Sequence, residues 1–226
     1  DSFVVGVSGG IDSAVSSTLA VKTGKPTYLV GMPLNQAKDQ ETLSDAHMYW
    51  LQSNYPNVKV LKANLSETYA KLMSDLTGEF GLEYTGNPMA KANTKSRLRM
   101  VTLYHVAANV GGIVVGTGNK VEDYGVGFYT KYGDGGVDIA PIADLYKTEV
   151  RELGRELGVI PEIINATPTD GLWEDGRNDE DQIGASYEQL EQAMETGDGP
   201  GLEALLKFNA QNKHKMDPIP TYKLEV

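Results

Sequence analysis

Cysteine is absent from the 226 residues of this chain. Disulfides, thiolate metal sites and cysteine nucleophiles are therefore excluded, and with them a cysteine-dependent glutaminase within the chain. Long apolar runs are also missing, because no stretch approaches the roughly 20 residues that span a membrane. No signal peptide is visible, so we expect a cytoplasmic protein. The chain begins with Asp1 rather than methionine, almost within an apolar run, and we expect a further N-terminal piece to precede it.

Basic side chains are also scarce, with 20 lysines and arginines against 31 aspartates and glutamates. The resulting net charge of −11 disfavours nucleic-acid partners, which need clustered cations. An apolar content of 40% and a length of 226 residues suit one globular core. No internal repeat or low-complexity linker divides the sequence, so we predict a single domain over residues 1–226.

The most informative stretch that is present is a glycine turn after an apolar run, in VVGVSGGIDSAV at residues 4–15. A strand, a tight turn and a helix start in that order place backbone N–H groups where an anion is stabilised. Ser8 and Ser13 can add hydroxyl donors, whereas the negative Asp12 would repel a phosphate unless Mg²⁺ lay between them. The GxxxxGK[ST] sequence of a Walker A loop is absent. The alternative is an ordinary strand-to-helix turn, since SGG is a frequent tripeptide.

Apolar runs alternate with helical patterns along most of the chain, which predicts an α/β fold with a doubly wound parallel sheet flanked by helices. The predicted strands are 3–7, 27–34, 58–63, 113–117 and a short one at 139–142. The predicted helices are 11–22, 40–55, 66–77, 87–110, 145–157, 179–195 and 201–211, of which the last two form a helical C-terminal region before an extended tail at 213–226. Residues 118–138 show neither a helical nor a strand period, and so long a loop in a compact domain is usually functional or disordered.

A second group of polar residues follows the predicted fourth strand, which ends at Gly116-Thr117. In a parallel sheet this strand end can lie beside the first loop, so Glu122 can supply a second carboxylate for the magnesium ion that Asp12 needs. The alternative for a lone glutamate is a solvated loop residue.

Several segments resemble motifs of one family. SGGIDS at residues 8–13 resembles the pyrophosphate loop SGGxDS of the ATP pyrophosphatases, and GFYTKYGDGGVDIAPIADLYK at 127–147 resembles the GFFTKFGDGGADxxP block of ammonia-dependent NAD synthetases. Further matches are NTKSRLRM at 93–100, PTD at 168–170, DEDQIGASY at 179–187 and HK at 214–215 before Pro218. Because these matches run in order over nearly the whole chain, it is identified as a member of that family, whose fold is that of the adenine nucleotide alpha hydrolases.

The resemblance implies ATP as co-substrate, with Mg²⁺ held by Asp12 and Glu122. The ATP contacts that it implies are Ser8, Gly9, Gly10, Asp12, Ser13, Thr117, Lys147 and Thr169. The implied contacts with deamido-NAD are Arg97, Lys131, Asp138, His214 and Lys215, in a homodimer with this site at the interface. Lys147 is expected to stabilise phosphate charge, and Asp138 to position or deprotonate ammonium, so Asp12, Lys147 and Asp138 are the residues expected to act in catalysis.

The chain departs from the family motifs at a few positions. The family's GTDHAAE reads GTGNKVE at 116–122, so the Asp-His pair is missing although the spacing to the glutamate survives. The family's KAR reads Lys95-Ser96-Arg97, its PTADL reads PTDGL at 168–172, and its terminal arginine is Met216. Arg97 can bind a carboxylate or phosphate bidentately. For Lys91, Lys95 and Arg99 we expect a helix face with i,i+4 pairs or a phosphate contact from a neighbouring subunit.

The reaction that the resemblance implies is the amidation of deamido-NAD to NAD by a carbon–nitrogen ligase. The nicotinate carboxylate attacks the α phosphorus of ATP, pyrophosphate leaves, and ammonia then displaces AMP. Two alternatives stay open at the level of sequence. One is another ATP pyrophosphatase amidation, such as GMP synthesis, which would share residues 8–13. The other is a non-catalytic nucleotide-binding module.

Overall fold

Four parallel strands form the sheet at the centre of the molecule. The computed structural model describes residues 2–35, 38–167 and 178–223. The strands in chain order are β1 (Ser2–Gly6), β2 (Thr27–Gly31), β3 (Val58–Lys62) and β4 (Gly112–Val115). They pair in the order β3-β2-β1-β4, with Val5 opposite Leu29 on one side and Val115 on the other. Because β1 and β4 are parallel neighbours, the segments that follow them begin at the same edge of the sheet.

Helices cover the sheet and extend it at the C-terminal side. The helices that the structure describes are α1 (Ile11–Lys22), α2 (Lys38–Asn54), α3 (Ser66–Phe80), α4 (Leu82–Thr85), α5 (Pro88–Val110), α6 (Lys147–Glu156), α7 (Pro161–Ile164), α8 (Asp179–Ile183), α9 (Tyr187–Thr196) and α10 (Leu202–Met216), with a π-helix at Lys120–Val126. The doubly wound α/β prediction and the helical C-terminal region are confirmed. None of the helices within residues 2–35, 38–167 and 178–223 is long and apolar enough to cross a membrane.

Close packing of α6 on α1 brings together parts of the chain that are far apart in sequence. A Cβ atom on Gly154 would lie 2.8 Å from Ile11 Cδ1, so glycine permits this approach. Ile11, Val15 and Val150 belong to one buried cluster between the two helices. The first residue of α6 is therefore held near the start of α1.

Residues 118–138 differ from the structureless loop that the sequence predicts. The π-helix begins after Asn119, whose side-chain oxygen accepts a hydrogen bond from the Glu122 N–H at 3.0 Å. Val121 and Val126 are fully buried. A π-turn has a wider period than an α-helix or a strand, so a search for those two periods misses it.

Several predicted element boundaries differ from the structure, among them those of the strand at 139–142, the helix at 179–195 and the tail at 213–226. The strand predicted at 139–142 is reduced to a single bridge between Val115 and Ile139, and Pro141 lacks the N–H that a longer ladder would use. The helix predicted at 179–195 is two helices, because Gly184 has a φ of 85° and Ser186 starts a new capping box. Helix α10 continues to Met216, so the HK pair at 214–215 lies in its last turn instead of in an extended tail.

Candidate active site

The loop after β1 is held by its own serines. Ser13 Oγ accepts hydrogen bonds from the Ser8 N–H at 3.2 Å and from Ser8 Oγ at 3.1 Å, and it donates to the Gly10 carbonyl at 2.9 Å. Helix α1 begins at Ile11 without a side-chain cap on Gly10. Helix N-termini carry N–H groups without intrahelical partners and a partial positive charge. This geometry is compatible with phosphate binding by the loop, which stays a prediction.

Gly9 lies in the tightest position of the loop. Its φ is 94°, and a Cβ atom there would lie 2.5 Å from the Gln40 carbonyl oxygen and 3.1 Å from the Ser44 nitrogen. Ser44, buried in α2, also donates its hydroxyl to the Val7 carbonyl at 2.7 Å. Both observations show that α2 supports the loop from behind, so only glycine fits at position 9.

Asn119 joins the loop after β4 to the loop after β1. Its side-chain amide donates to Asp12 Oδ1 at 3.2 Å, while its carbonyl oxygen caps the π-helix that carries Glu122. The side chain is fully buried. Our sequence predictions did not include Asn119, although it is one of the positions where the chain departs from the family's Asp-His pair. The altered residue at this motif position was the sequence feature that could have identified Asn119.

Lys147 lies between the two predicted metal-binding carboxylates. Its ammonium nitrogen is 2.5 Å from Asp12 Oδ2 and 2.8 Å from Glu122 Oε1. The Lys147 side chain is 3% exposed, and those of Asp12 and Glu122 are 16% and 17% exposed. The structure thus brings together three predicted site residues from α1, the π-helix and α6, which are separated by up to 135 positions in the chain.

Burial and mutual attraction set the ionisation of this group. Burial disfavours the Lys147 ammonium, but Asp12 and Glu122 outweigh that effect and raise the pKa of Lys147. Burial would raise the pKa of Glu122, yet Lys147 and a hydrogen bond from Tyr187 hold the pKa of Glu122 below its ordinary value. For Asp12 burial dominates, so the pKa of Asp12 lies above its ordinary value despite the attraction of Lys147. The site is a buried cation shared by two carboxyl groups.

The C-terminal helices supply two further groups that our predictions missed. The Tyr187 hydroxyl donates to Glu122 Oε1 at 2.5 Å. Glu191 accepts hydrogen bonds from the Thr148 N–H at 3.1 Å and from Thr148 Oγ1 at 2.7 Å, next to Lys147. The DEDQIGASY motif at 179–187 contains Tyr187 and was the sequence signal, but the motif did not indicate what the tyrosine contacts.

Four of the residues predicted for deamido-NAD lie close together on the surface. Arg97 donates from Nε and Nη2 to the Lys131 carbonyl, each at 3.3 Å. Lys131 Nζ donates to the His214 carbonyl at 2.6 Å. Lys215 Nζ donates to the Gly127 and Tyr129 carbonyls at 2.9 and 2.8 Å, and burial lowers its pKa. The last turn of α10 and the middle of α5 therefore hold residues 127–131 between them.

Asp138, the remaining predicted deamido-NAD residue, has other partners. Its carboxylate accepts from the Val114 N–H at 2.8 Å and from the Tyr104 hydroxyl at 3.1 Å. These contacts anchor it beside β4 and α5, and its role with ammonium stays a prediction. Thr117 lies two residues beyond the end of β4, whereas the sequence predicted a strand that reaches 117, and its contact with ATP stays a prediction. Thr169 falls outside the described residues.

Two of the departures from the family motifs have structural partners. Ser96, which stands where the family has alanine, donates to Asp134 Oδ1 at 2.6 Å and accepts from the Asp134 N–H at 2.9 Å. Gly118 stands where the family has aspartate, and a Cβ atom there would lie 1.9 Å from Asp123 Oδ2. The carboxylate of Asp123 therefore occupies the space next to Gly118. Burial, followed by the charge of Glu122, raises the pKa of Asp123 to about 8.

The donor set at Asp12 and Glu122 fits a nucleotide-associated magnesium ion better than a closed protein site. Within the part of the chain that is described, no three acidic or histidine side chains converge as a metal site. Magnesium bound with ATP commonly uses one or two carboxylates and completes its shell with phosphate oxygens and water. Two carboxyl groups beside the turn that is predicted to bind phosphate meet that requirement.

Comparisons with known proteins show which family the chain is similar to. The sequence model of the NAD synthase family matches residues 1–217. The chain is 40% identical over 214 residues to the NH(3)-dependent NAD(+) synthetase of Carboxydothermus hydrogenoformans, covering 94% of this chain and 85% of the relative. It is 39% identical over 193 residues to that of Methanococcoides burtonii, covering 85% of this chain and 70% of the relative.

Solved structures show the same similarity. An NMN synthetase from Francisella tularensis superposes with a TM-score of 0.89 at 32% identity, covering 99% of this chain and 90% of the other. A NAD+ synthetase from Burkholderia pseudomallei superposes with a TM-score of 0.71 at 27% identity, covering 95% of this chain and 81% of the other. The NH3-dependent NAD synthetase from Campylobacter jejuni superposes with a TM-score of 0.73 at 23% identity, covering 98% of this chain and 90% of the other. At this identity the similarity supports the fold alone.

Proposed function

The chain belongs to the NAD synthase family, and we propose that the site around Asp12, Glu122 and Lys147 adenylates the nicotinate carboxylate of deamido-NAD before ammonia converts it to the amide of NAD. The protein is a carbon–nitrogen ligase, and its reaction is the ATP-dependent amidation of deamido-NAD with ammonia. The observation that carries the proposal is the convergence of a buried lysine and two carboxyl groups beside the serine–glycine loop.

The chemistry follows from the reactivity of a carboxylate. A carboxylate does not react with ammonia at neutral pH, so one oxygen must first become part of a leaving group. The nicotinate oxygen attacks the α phosphorus of ATP, the bond to the β-phosphate oxygen breaks, and pyrophosphate leaves. Ammonia then adds to the carbonyl carbon of the resulting mixed anhydride, AMP leaves with the electron pair, and one proton is released.

Each part of the site has a task in this scheme. The N–H group of Gly9 binds the ATP phosphates together with the donors of Ser8, Gly10 and Ser13, which exchange their hydrogen bonds within the loop for bonds to phosphate oxygens. Lys147 stabilises the negative charge that develops when pyrophosphate leaves. Its high pKa keeps it a cation throughout the physiological pH range. Thr117 and Thr169 complete the ATP contacts that we predict.

Magnesium is the cofactor that we propose, held by Asp12 and Glu122. When bound, it would neutralise phosphate charge during the attack on the α phosphorus. Arg97, Lys131, His214 and Lys215 bind the pyrophosphate or carboxylate of deamido-NAD, a proposal supported by their proximity on the surface. Arg97 is suited to such a group because its guanidinium binds oxyanions bidentately.

A nucleotide turnover experiment tests the function. The purified protein is incubated with ATP, Mg²⁺ and ammonium, with deamido-NAD or xanthosine monophosphate as acceptor, and AMP, pyrophosphate and the amide are measured. We expect NAD, AMP and pyrophosphate in equal amounts with deamido-NAD and none with Asp12→Ala. Turnover of xanthosine monophosphate alone would overturn the proposal, as would nucleotide binding without pyrophosphate release. A parallel reaction with glutamine instead of ammonium shows which nitrogen source the chain uses by itself.

A second candidate acceptor is nicotinate mononucleotide, which would give NMN by the same two steps. The observation that favours it is the similarity to the NMN synthetase from Francisella tularensis, which extends over 99% of this chain. The two acceptors differ by the adenylate half of the dinucleotide, so the ratio of their kcat/KM values decides between them. A preference of tenfold or more for the mononucleotide, on the order of 1.4 kcal/mol, would replace deamido-NAD as the substrate.

We also propose a homodimer, with the dinucleotide site at its interface. Helix α3 contributes no buried residue although its sequence is amphipathic. Five large apolar side chains of the segment 80–101 are more than half exposed, namely Phe80, Leu82, Tyr84, Met89 and Val101. Exposed apolar surface of this kind is typical of an interface. Analytical ultracentrifugation of the wild type and of Phe80→Ser/Leu82→Ser tests it, and a wild-type monomer at micromolar concentration contradicts it. The cytoplasmic location and the single domain over 1–226 stay predictions.

A further inference from the structure

Tyr187 is a buried residue that touches two members of the proposed active site. It begins α9, its side chain has no exposed surface, and it is 65 positions from Glu122 in the sequence. Its hydroxyl donates to Glu122 Oε1 at 2.5 Å. The same hydroxyl is also 3.4 Å from Asp179 Oδ2, so both of its neighbours are carboxylate oxygens, which accept its hydrogen.

The ring of Tyr187 also contacts Lys147. The Lys147 ammonium lies 4.9 Å from the ring centroid and 2.8 Å from the same Glu122 oxygen that accepts the phenol hydrogen. A cation over an aromatic face is attracted by the ring quadrupole, most strongly where water is excluded. One side chain therefore restricts both a predicted metal-binding carboxylate and the cation between the two carboxyl groups.

Tyr187 is itself fixed from several directions. Its backbone N–H donates to Glu180 Oε1 at 3.0 Å, and Asp179 Oδ2 lies 3.4 Å from its hydroxyl. The ring packs in a buried cluster with Val121 and Val126, which lie on the same π-helix as Glu122. Helix α8, helix α9 and the π-helix thus place the phenol before any ligand binds.

A purely structural role would need only some acceptor for a buried phenol. Here the acceptor is a carboxylate that also receives Lys147, and burying such charged groups is unfavourable unless each is well paired. Groups that contact metal-binding side chains from behind commonly orient them and tune their affinity. The arrangement around Glu122 has this form.

We propose that Tyr187 is a positioning residue for the ATP-activating step, which fixes Glu122 through its hydroxyl and Lys147 through its ring. The proposal rests on the proposed function, because it assigns Glu122 to the magnesium of bound ATP. A tyrosine of the C-terminal helical region thus helps to set the affinity for the metal ion and the rate of ATP activation. The residue acts through Glu122 and Lys147, without touching the reacting atoms.

The test compares Tyr187→Phe with the wild type and with Tyr49→Phe, a matched control on α2 that is 57% exposed. Affinity for Mn²⁺ in the presence of a non-cleavable ATP analogue is measured by electron paramagnetic resonance, and kcat and KM are measured separately. We expect Tyr187→Phe to bind Mn²⁺ on the order of tenfold more weakly, with a similar rise in the half-saturating Mg²⁺ concentration. The KM for deamido-NAD should change by less than about twofold, and Tyr49→Phe should match the wild type.

A double-mutant cycle with Glu122→Gln separates positioning from general stability. If the hydroxyl acts through Glu122, Tyr187→Phe should have little additional effect on kcat/KM in the Glu122→Gln background. Unchanged Mn²⁺ affinity in Tyr187→Phe, or an equal loss in both backgrounds, would overturn the proposal. Failure of the proposed function is recognised separately, because the wild type would then form no NAD while the Mn²⁺ measurement would still give a result.

A fluorine label keeps the proposal testable if Tyr187→Phe does not fold. Incorporation of 3-fluorotyrosine at position 187 alone retains the hydroxyl and gives one ¹⁹F resonance. We expect this resonance to shift when Mg²⁺ and the ATP analogue are added together, because the contacts of Glu122 and Lys147 change. A resonance that does not move while nucleotide binds would overturn the proposal.

Discussion

The side-chain amide of Asn119 donates to Asp12 across 3.2 Å, and this contact joins the segments that follow two neighbouring strands. The same side chain caps the π-helix through its oxygen, so one residue links the phosphate-binding loop to the element that carries Glu122. Asn119 and Asp12 are 107 positions apart in the sequence, so no local pattern around Asp12 indicates this contact. The link exists because β1 and β4 are adjacent in the sheet.

Removal of the Asn119 side chain should affect stability and ATP use together. For Asn119→Ala we expect a loss of about 1–2 kcal/mol in the free energy of unfolding, since a buried cap is lost, and a several-fold higher KM for ATP. Asn119→Asp keeps the capping oxygen but replaces the donor with a charge facing Asp12. Because position 119 is fully buried, this second carboxyl group against Asp12 should make Asn119→Asp less stable than the alanine variant and more impaired in ATP use. Denaturant unfolding and pyrophosphate release measure the two effects, and equal behaviour of the two variants would contradict this assignment.

Replacement of Lys147 should reduce stability and kcat far more than replacement of an exposed lysine that also pairs with two carboxylates. Lys147→Met leaves two carboxyl groups buried without their cation, so we expect a loss of roughly 3–5 kcal/mol in stability and at least about 100-fold in kcat. Lys62 is the matched control, because it lies 2.8 Å from both Glu41 and Asp45 but is 40% exposed. Lys62→Met should lose at most about 1 kcal/mol and keep its activity. Similar effects of the two substitutions on kcat would argue against a special role for Lys147.

His47 should make the protein less stable at mildly acidic pH. Burial lowers its pKa from 6.5 to about 4, and its Nε2 lies 3.0 Å from Ser17 Oγ in α1. Below about pH 6.5, His47 binds a proton in the unfolded chain but stays neutral in the folded protein. The free energy of unfolding therefore falls as the pH falls toward 4. This one group contributes a loss of about 2 kcal/mol between about pH 7.5 and 5.

The measurement is the free energy of unfolding against pH for His47→Gln and for His105→Gln, whose histidine is exposed. The dependence between about pH 7.5 and 5 should be shallower in His47→Gln than in the wild type, and unchanged in His105→Gln. Retention of the full slope in His47→Gln would assign the acid sensitivity to other groups.

Gly118 and Asp123 should be energetically coupled. A methyl group on residue 118 would lie 1.9 Å from Asp123 Oδ2, so Gly118→Ala must displace that carboxylate. We expect Gly118→Ala to be more destabilising in the wild type than in an Asp123→Ala background, with a coupling energy of about 1 kcal/mol. Thermal unfolding of the four proteins in the cycle gives this energy. Strict additivity would show that the space beside Gly118 is not occupied by Asp123 in solution.

Local sequence patterns were sufficient for most of the fold. The glycine turn at 8–13 identified where β1 ends and α1 begins, and the predicted limits of α1 agree with the structure at both ends. Alternation of apolar and amphipathic segments predicted the parallel sheet. The patterns failed where a period is unusual or a helix is interrupted, as in the π-helix and at Gly184, because these features depend on packing and on backbone conformation that no single period describes.

Motifs also placed Asp12, Glu122 and Lys147 among the candidates before any contact was known. What the sequence by itself determined was therefore the class of chemistry, because residue types at ordered positions specify which groups are available. Only the tertiary structure decided that Lys147 lies between the two carboxyl groups, that Asn119 joins the two loops, and that Tyr187 meets Glu122. These contacts span 25 to 135 positions of the chain, and they follow from strand adjacency and from the close packing of α6 on α1.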